Sequence, residues 1–304
     1  MFYLTFAILT SASIALIFKF SENRGMDRFV VTSFNYLAAS LVSIVIIGFS
    51  DLRLSLLPSS FTIEELLSVI PPPGEITDPR GSLLWALIVG VPAGAFFFLA
   101  FIYYQKGIRE NGAGLAGAFS KIGILIPMSV SIVLWNEIPT IFQAVGIGLS
   151  IISILLVNIS PEKLDPDEMR PTLLGLFLFS GLAEFSNKVF QKYGLIEDKM
   201  VFLFFVFFTA FLISAAFLFW RRRRPVPQEI FTGLIVGLPN LFCSYFLILA
   251  LDEIKASVVF PLYTATTIVI INIGGYLIFK ERLRKKERFA ISMIVVALVL
   301  INLS

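Results

Sequence analysis

Lys121, in "GAFSKIGILIP", and Glu184, in "GLAEFSNKVFQKYG", are ionisable side chains set inside long apolar runs. An ammonium at the centre of a hydrocarbon layer costs about 2.5–3.5 kcal/mol even on lenient insertion scales. Each group therefore needs a partner, a water-filled cavity or a task. A lone ammonium can capture a carboxylate, phosphate or zwitterion electrostatically, and Gly114 and Gly117 share the face of Lys121, giving backbone access beside it. A carboxylate that alternates between a protonated and an occupied state can exchange protons for substrate, and Glu184 has that character. Two structural readings stand beside these. Lys121 can form an ion pair, with Glu184 itself as a candidate partner. Glu184 can pair with Lys188, one turn on, and reach toward the helix end.

Other chemistries are excluded by what the chain lacks. It has no histidine and one cysteine, Cys243. That rules out an intramolecular disulfide, a His-based triad, an imidazole relay and a cysteine-cluster metal site. No G-x-x-x-x-G-K-[ST] loop occurs, so the chain carries no nucleotide-driven motor of that type. No nucleophile–base set lies within the apolar runs, and "PEKLDPDE" (161–168) reads as a solvated loop. We expect no enzyme, no cofactor and no metal.

The elements that hold Lys121 and Glu184 follow from composition. Residues AVILMFWYC make up 57% of the chain and charged residues 15%, against about 45–50% and 25% in soluble domains. Runs of about 18–20 apolar residues suffice to cross a bilayer core. Ten spans are expected, at approximately 2–19, 29–49, 83–106, 113–134, 140–158, 171–191, 200–220, 231–251, 256–279 and 287–303. The first lacks a basic leader and a cleavage site and reads as a retained span. Pro127 is expected to kink the fourth. Between spans two and three, "FTIEELLSVI" (61–70) has helical spacing suited to the membrane surface. Most of the 24 lysines and arginines fall in the odd-to-even loops, which places "RRRR" (221–224) and "KERLRKKER" (280–288) in the cytoplasm and both termini outside. These runs suit topology and anionic-lipid anchoring, and no nucleic-acid partner is expected.

An internal repeat orders the spans. "LIVGVP" (87–92) recurs as "LIVGLP" (234–239), and "IVLWNE" (132–137) has its counterpart in "YLIFKE" (276–281). Each half, 1–158 and 171–304, then holds five spans, joined by a charged linker at 159–170. Five is odd, so the second copy enters the membrane from the opposite side. The expected fold is all-α and integral to the membrane: ten helices as two inverted five-helix repeats, with a site near the midplane. Pro92 and Pro239, at matching positions, are hinge candidates. Asn35, Tyr36, Tyr103, Asn240, Ser244, Tyr245, Tyr263, Thr264 and Thr267 could line a cavity with Lys121. Taken singly, each is as well suited to an ordinary interhelical hydrogen bond.

This pattern resembles the EamA-type members of the drug/metabolite transporter superfamily. The likeness covers nearly the whole chain through its ten spans and its "LWNE" and "FKERL" span ends. The start also resembles the four-span small multidrug resistance branch, where "AILTS" (7–11) leads to "KFSE" (19–22); the second half repeats this as "LAE" (182–184) with Lys192 beyond. The resemblance implies that Glu184 stands at the proton-coupling carboxylate of that branch, and that Ser11 replaces it in the first half. The expected function is a secondary transporter of a small polar metabolite, anionic or zwitterionic, working by alternating access with proton coupling through Glu184. It would lie in a prokaryotic inner or plasma membrane as a monomer, its partners being the substrate and the bilayer. The alternative is an exporter or flippase for amphiphiles, with "VFLFFVFFTAFLISAAFLFW" (201–220) as a greasy lateral opening.

Overall fold

The computed structural model describes residues 1–49, 76, 78–111, 113–158, 171–222, 224–280 and 285–302. The expected surface helix at 61–70, the linker at 159–170 and Glu281 lie outside the described residues. All the described regular structure is helical: α1 Phe2–Asn23, α2 Arg28–Phe49, α3 Pro79–Asn111, α4 Ala113–Ile122, α5 Leu125–Trp135, α6 Ile141–Asn158, α7 Pro171–Tyr193, a 3-10 turn Ile196–Asp198, α8 Lys199–Trp220, α9 Pro227–Glu253, α10 Ala256–Phe279 and α11 Lys285–Asn302. Seven of these (α1, α2, α3, α7, α8 with its leading turn, α9 and α10) are long and apolar enough to cross a membrane, and three shorter apolar stretches lie at 119–135, 141–156 and 288–301.

Local chemistry sets the helix ends. Gly25 takes the left-handed conformation at φ +66°, which lets Met26 N–H reach back to the Ser21 carbonyl at 3.1 Å and close α1. Asp27 then caps α2, its Oδ1 accepting Phe29 N–H at 2.9 Å. Pro79 and Pro227 occupy first helical positions, where a missing N–H costs nothing. Thr140 and Gln143 form a reciprocal capping box at the start of α6, with bonds of 3.0 and 3.3 Å.

The chain forms two compact units. The first comprises Met1–Leu16, Leu99–Phe185 and Glu253–Ser304; the second, Ile17–Phe98 and Ser186–Asp252. Each draws helices from both sequence halves.

In the second unit, α2 lies along α8, and glycines set two further crossings. A Cβ on Gly237 of α9 would meet the Asn35 carbonyl oxygen at 2.6 Å and the Ala38 Cβ at 2.5 Å, both on α2. A Cβ on Gly90 of α3 would meet the Phe202 carbonyl oxygen at 3.0 Å and the Phe205 Cβ at 2.8 Å, both on α8. These are the glycines of "LIVGLP" and "LIVGVP". Each rests on a carbonyl and on the Cβ three residues later. Gly94 and Gly233 extend the two contacts by one turn, against α8 and α2 respectively. Around them the core is aromatic, with Phe190 and Phe202 stacked at 4.5 Å.

In the first unit, α6 lies along α11, with Gly146 seated on Ala297 and Ile301. The helix at α5 ends in left-handed Asn136 (φ 53°), whose N–H returns to the Ser131 carbonyl. The α10 helix ends in left-handed Lys280 (φ 57°), whose N–H returns to the Gly275 carbonyl. These are the residues before the Glu in "IVLWNE" and "YLIFKE", so both motifs stop a helix with the same geometry.

The Gly237 contact is backbone to backbone and has no flexible side chain to yield. Gly237→Ala is expected to lower unfolding stability by about 1–3 kcal/mol. Gly148→Ala, where an added Cβ meets nothing within 4 Å, is expected to be neutral or to stabilise by about 0.5–1 kcal/mol. Thermal unfolding of the purified variants in detergent checks both.

Candidate functional site

The expected fourth span is not one helix. It is α4 and α5, separated by a turn at Gly123 and Ile124. The cause is Pro127, which has no N–H for the Gly123 carbonyl and whose ring would strike it in a regular helix. Ile126 N–H takes that carbonyl instead, at 3.0 Å. Where a kink at Pro127 was expected, the chain breaks one turn earlier. Gly123 there meets α7 of the same unit: a Cβ on it would lie 2.9 Å from Gly181 N and 3.0 Å from the Phe177 carbonyl oxygen. Gly181 is equally constrained, with the Gly123 carbonyl oxygen 2.6 Å from where its Cβ would be.

Both ionisable candidates flank this glycine crossing. Lys121 is half-buried in the last turn of α4, two residues before Gly123. Its charge suits the negative end of that half-helix. Glu184 is half-buried on α7, one turn after Gly181. The Ser120 and Ser180 hydroxyls approach at 3.4 Å, and Trp135 stacks on Phe185 with ring centroids 6.0 Å apart.

Other candidates of the first unit fall into separate contacts. Tyr263 is buried on α10 and donates its hydroxyl proton to, or accepts one from, Ser11 Oγ at 3.0 Å. Ser11 is the residue expected, from the resemblance, to stand in the place of Glu184 in the first half. Thr264 and Thr267 are buried one and four residues on. Tyr103 lies with its ring over Gly175, where a Cβ would come within 2.3 Å, and 5.2 Å from Phe179.

The second unit holds the rest. Asn240 Nδ2 donates to Asn35 Oδ1 at 3.0 Å, immediately after Pro239 and beside the Gly237 contact. Tyr36 is buried, its hydroxyl 3.4 Å from the Phe97 carbonyl. Ser244 is buried, and the Tyr245 ring lies under the Lys199 ammonium at 4.9 Å. Pro92 and Pro239 both lie inside unbroken helices, α3 and α9.

Sequence reasoning missed several polar contacts. Lys188, read only as a partner for Glu184, is buried and donates to Gln191 Oε1 at 2.7 Å; Gln191 passes the contact to Asp252 at 3.1 Å. Glu137 accepts Ala256 N–H at 2.5 Å and so caps α10, while Lys255 donates to the Ile138 carbonyl at 3.0 Å. The repeated Glu was a visible signal for Glu137. Lys188 offered no signal beyond its position four residues after Glu184. Among the described residues no group of three or more acidic, Cys or His side chains could hold a metal.

Residues 172–303 match the EamA-like transporter family. This stretch is an EamA-like transporter domain. It takes in nearly all of α7 to α11, and four of its helices are among the seven long and apolar enough to cross a membrane. An uncharacterized protein of Haemophilus influenzae is 23% identical over 287 residues, which is 93% of this chain and 91% of that one. A solved crystal structure 14% identical in sequence matches 99% of this chain and 96% of its own with a TM-score of 0.69, a likeness of fold. The EamA-like stretch contains Glu184, Asn240 and Tyr263.

The Asn35–Asn240 bond is testable by a double-mutant cycle. Asn35→Ala and Asn240→Ala are expected to be coupled by about 0.6–2 kcal/mol, the range for interhelical hydrogen bonds in membranes. Additive effects in thermal unfolding would show that the amides contribute independently.

Proposed function

We propose that this chain is a secondary transporter built from ten spans in two inverted five-helix repeats, 1–158 and 171–304, joined by the linker at 159–170. Three findings support the repeat. Gly90 and Gly237 make like contacts, Asn136 and Lys280 end their helices alike, and each compact unit contains helices of both halves. The cargo is a small anionic or zwitterionic metabolite moved by alternating access, and no catalytic step is involved.

The observation that carries this reading is the break at Gly123 with Lys121 at its edge. Discontinuous helices and intramembrane charges mark substrate sites in transporters, because half-helix ends and charged side chains near the midplane can engage a polar ligand. In this reading Lys121 holds the substrate's negative charge. Glu184, one turn beyond the Gly181 contact, carries the coupling proton. Asn35, Tyr36, Tyr103, Asn240, Ser244, Tyr245, Tyr263, Thr264 and Thr267 remain candidates for the polar lining, with Pro92 and Pro239 as bending points. The membrane is a prokaryotic inner or plasma membrane, and the fused pair works as a monomer.

Thermal stabilisation of the purified protein by amino acids, organic acids, phosphorylated metabolites, sugars, lipids and lipophilic cations tests the assignment. We expect stabilisation by one anionic or zwitterionic class, lost in Lys121→Ala with the fold intact. Stabilisation by lipids or lipophilic cations alone would instead make the chain an amphiphile exporter or flippase. In proteoliposomes, Glu184→Gln is expected to keep exchange and lose accumulation driven by a pH gradient; undiminished accumulation would assign coupling to another group.

A further inference from the structure

Asp198 closes the 3-10 turn before α8 and stands at that helix's N-cap. A carboxylate there ordinarily accepts the first free N–H groups of the helix and is favoured by its dipole. Asp198 makes no such capping bond. Its side chain is turned toward Ser82 on α3 instead, and only 7% of the residue is exposed. The Ser82 hydroxyl accepts Leu195 N–H at 2.8 Å, which leaves its own proton for the carboxyl group. The second oxygen, Oδ2, is buried with no hydrogen-bond partner among the described residues.

The surrounding charges do not supply one. Glu197 and Lys199 flank Asp198 in its own segment. The Lys199 ammonium donates to the Ile196 carbonyl at 3.1 Å and lies over the Tyr245 ring, with Asp252 at the end of α9 acting on it as well. From α3 the group facing Asp198 is Ser82, a neutral hydroxyl. At the end of α7, the Tyr193 carbonyl is taken by Ile76 N–H at 2.9 Å and Gln191 is bonded to Lys188 and Asp252. An ionised Asp198 in this position has given up water at one oxygen while ignoring the uncapped helix terminus beside it. A buried polar oxygen left unpaired carries a desolvation penalty. A proton on Oδ2 removes the charge, and a turn of the side chain toward α8 satisfies it.

We propose that Asp198 is a proton-binding site that selects between two helix partners. As the neutral acid it stays buried against Ser82 of α3. As the carboxylate it turns to accept the first N–H groups of α8. The proton passes between bulk water and Oδ2, and no other covalent bond changes. The switch goes beyond the transport reading, since it needs no substrate, and it is separable from Glu184.

The test uses the full-length protein in nanodiscs and infrared difference spectra between alkaline and acidic buffer. A protonated-carboxyl C=O band is expected on acidification, lost in Asp198→Asn and retained in Glu184→Gln. Amide protection at Met200 and Val201, measured relative to the intrinsic base-catalysed rate at each pH, is expected to be greater in alkaline buffer in the wild type and independent of pH in Asp198→Asn. An unchanged set of carboxyl bands in Asp198→Asn would overturn the proposal. If that variant does not fold, Ser82→Ala decides: the band must shift in frequency as its hydrogen-bond partner is removed, and an unshifted band overturns the assignment.

Discussion

A glycine seated on a backbone carbonyl is the contact on which the rest of this protein depends. Lipid tails are as apolar as leucine, so no hydrophobic force pulls helices together inside a membrane; close van der Waals packing does it instead. Gly237 on Asn35, Gly90 on Phe202 and Gly123 against Gly181 bring backbones to distances that any side chain would forbid. Polar groups near such crossings are then held close enough to bond across helices. The Asn35–Asn240 hydrogen bond lies next to the Gly237 contact, and the Ser120–Ser180 contact lies next to Gly123. Large apolar side chains meanwhile face outward: Val133, Phe49 and Phe219 are 78%, 90% and 88% exposed, as expected where the solvent is lipid.

The same constraint explains why the break at Gly123 is informative. Backbone groups in hydrocarbon must be satisfied internally, and irregular backbone is tolerated only where protein or a wet cavity surrounds it. Gly123 is buried against α7, and its carbonyl is taken by Ile126 N–H. The chain therefore holds an interruption that a plain membrane anchor would not need. Placing an ammonium two residues before the interruption adds a second expense of the same kind. The proposed transport reading rests on these two features standing at one place.

Much of this architecture was legible because membrane helices are written in composition. The spans expected at 29–49, 200–220 and 256–279 match α2, α8 and α10 to within a residue. The glycines of the two "LIVG" stretches stand where a Cβ would strike a facing carbonyl, so their recurrence in sequence has a packing reason. What remained hidden depends on partners distant in sequence. Glu137 marks a helix end in any reading, but its role as the cap of α10 rests on Ala256, which only folding brings to it. Pro127 announced a distortion; its location one turn earlier depends on Gly123 finding Gly181. Sequence reasoning did not single out Asp198; its turn toward Ser82 rests on α3, which only folding brings to it.

Like scaffolding in the two halves does not require like chemistry. Under the proposed repeat Ser11 stands in the place of Glu184, yet Ser11 is bound to the Tyr263 hydroxyl whereas Glu184 keeps a carboxyl group. Counting back from the motif glutamates, Lys121 corresponds to Ala265, which is fully buried in α10. Under the proposed repeat, glycine contacts and helix stops are duplicated because both halves must pack by the same rules. In the proposed transporter the charged groups are single because one substrate needs one cation to hold it. A second ammonium or carboxylate at the matching positions would add another desolvation penalty of several kcal/mol without a ligand to offset it. If the proposed repeat and site hold, the asymmetry is what a duplicated scaffold becomes once one polar site is fixed and the copies no longer need to be identical.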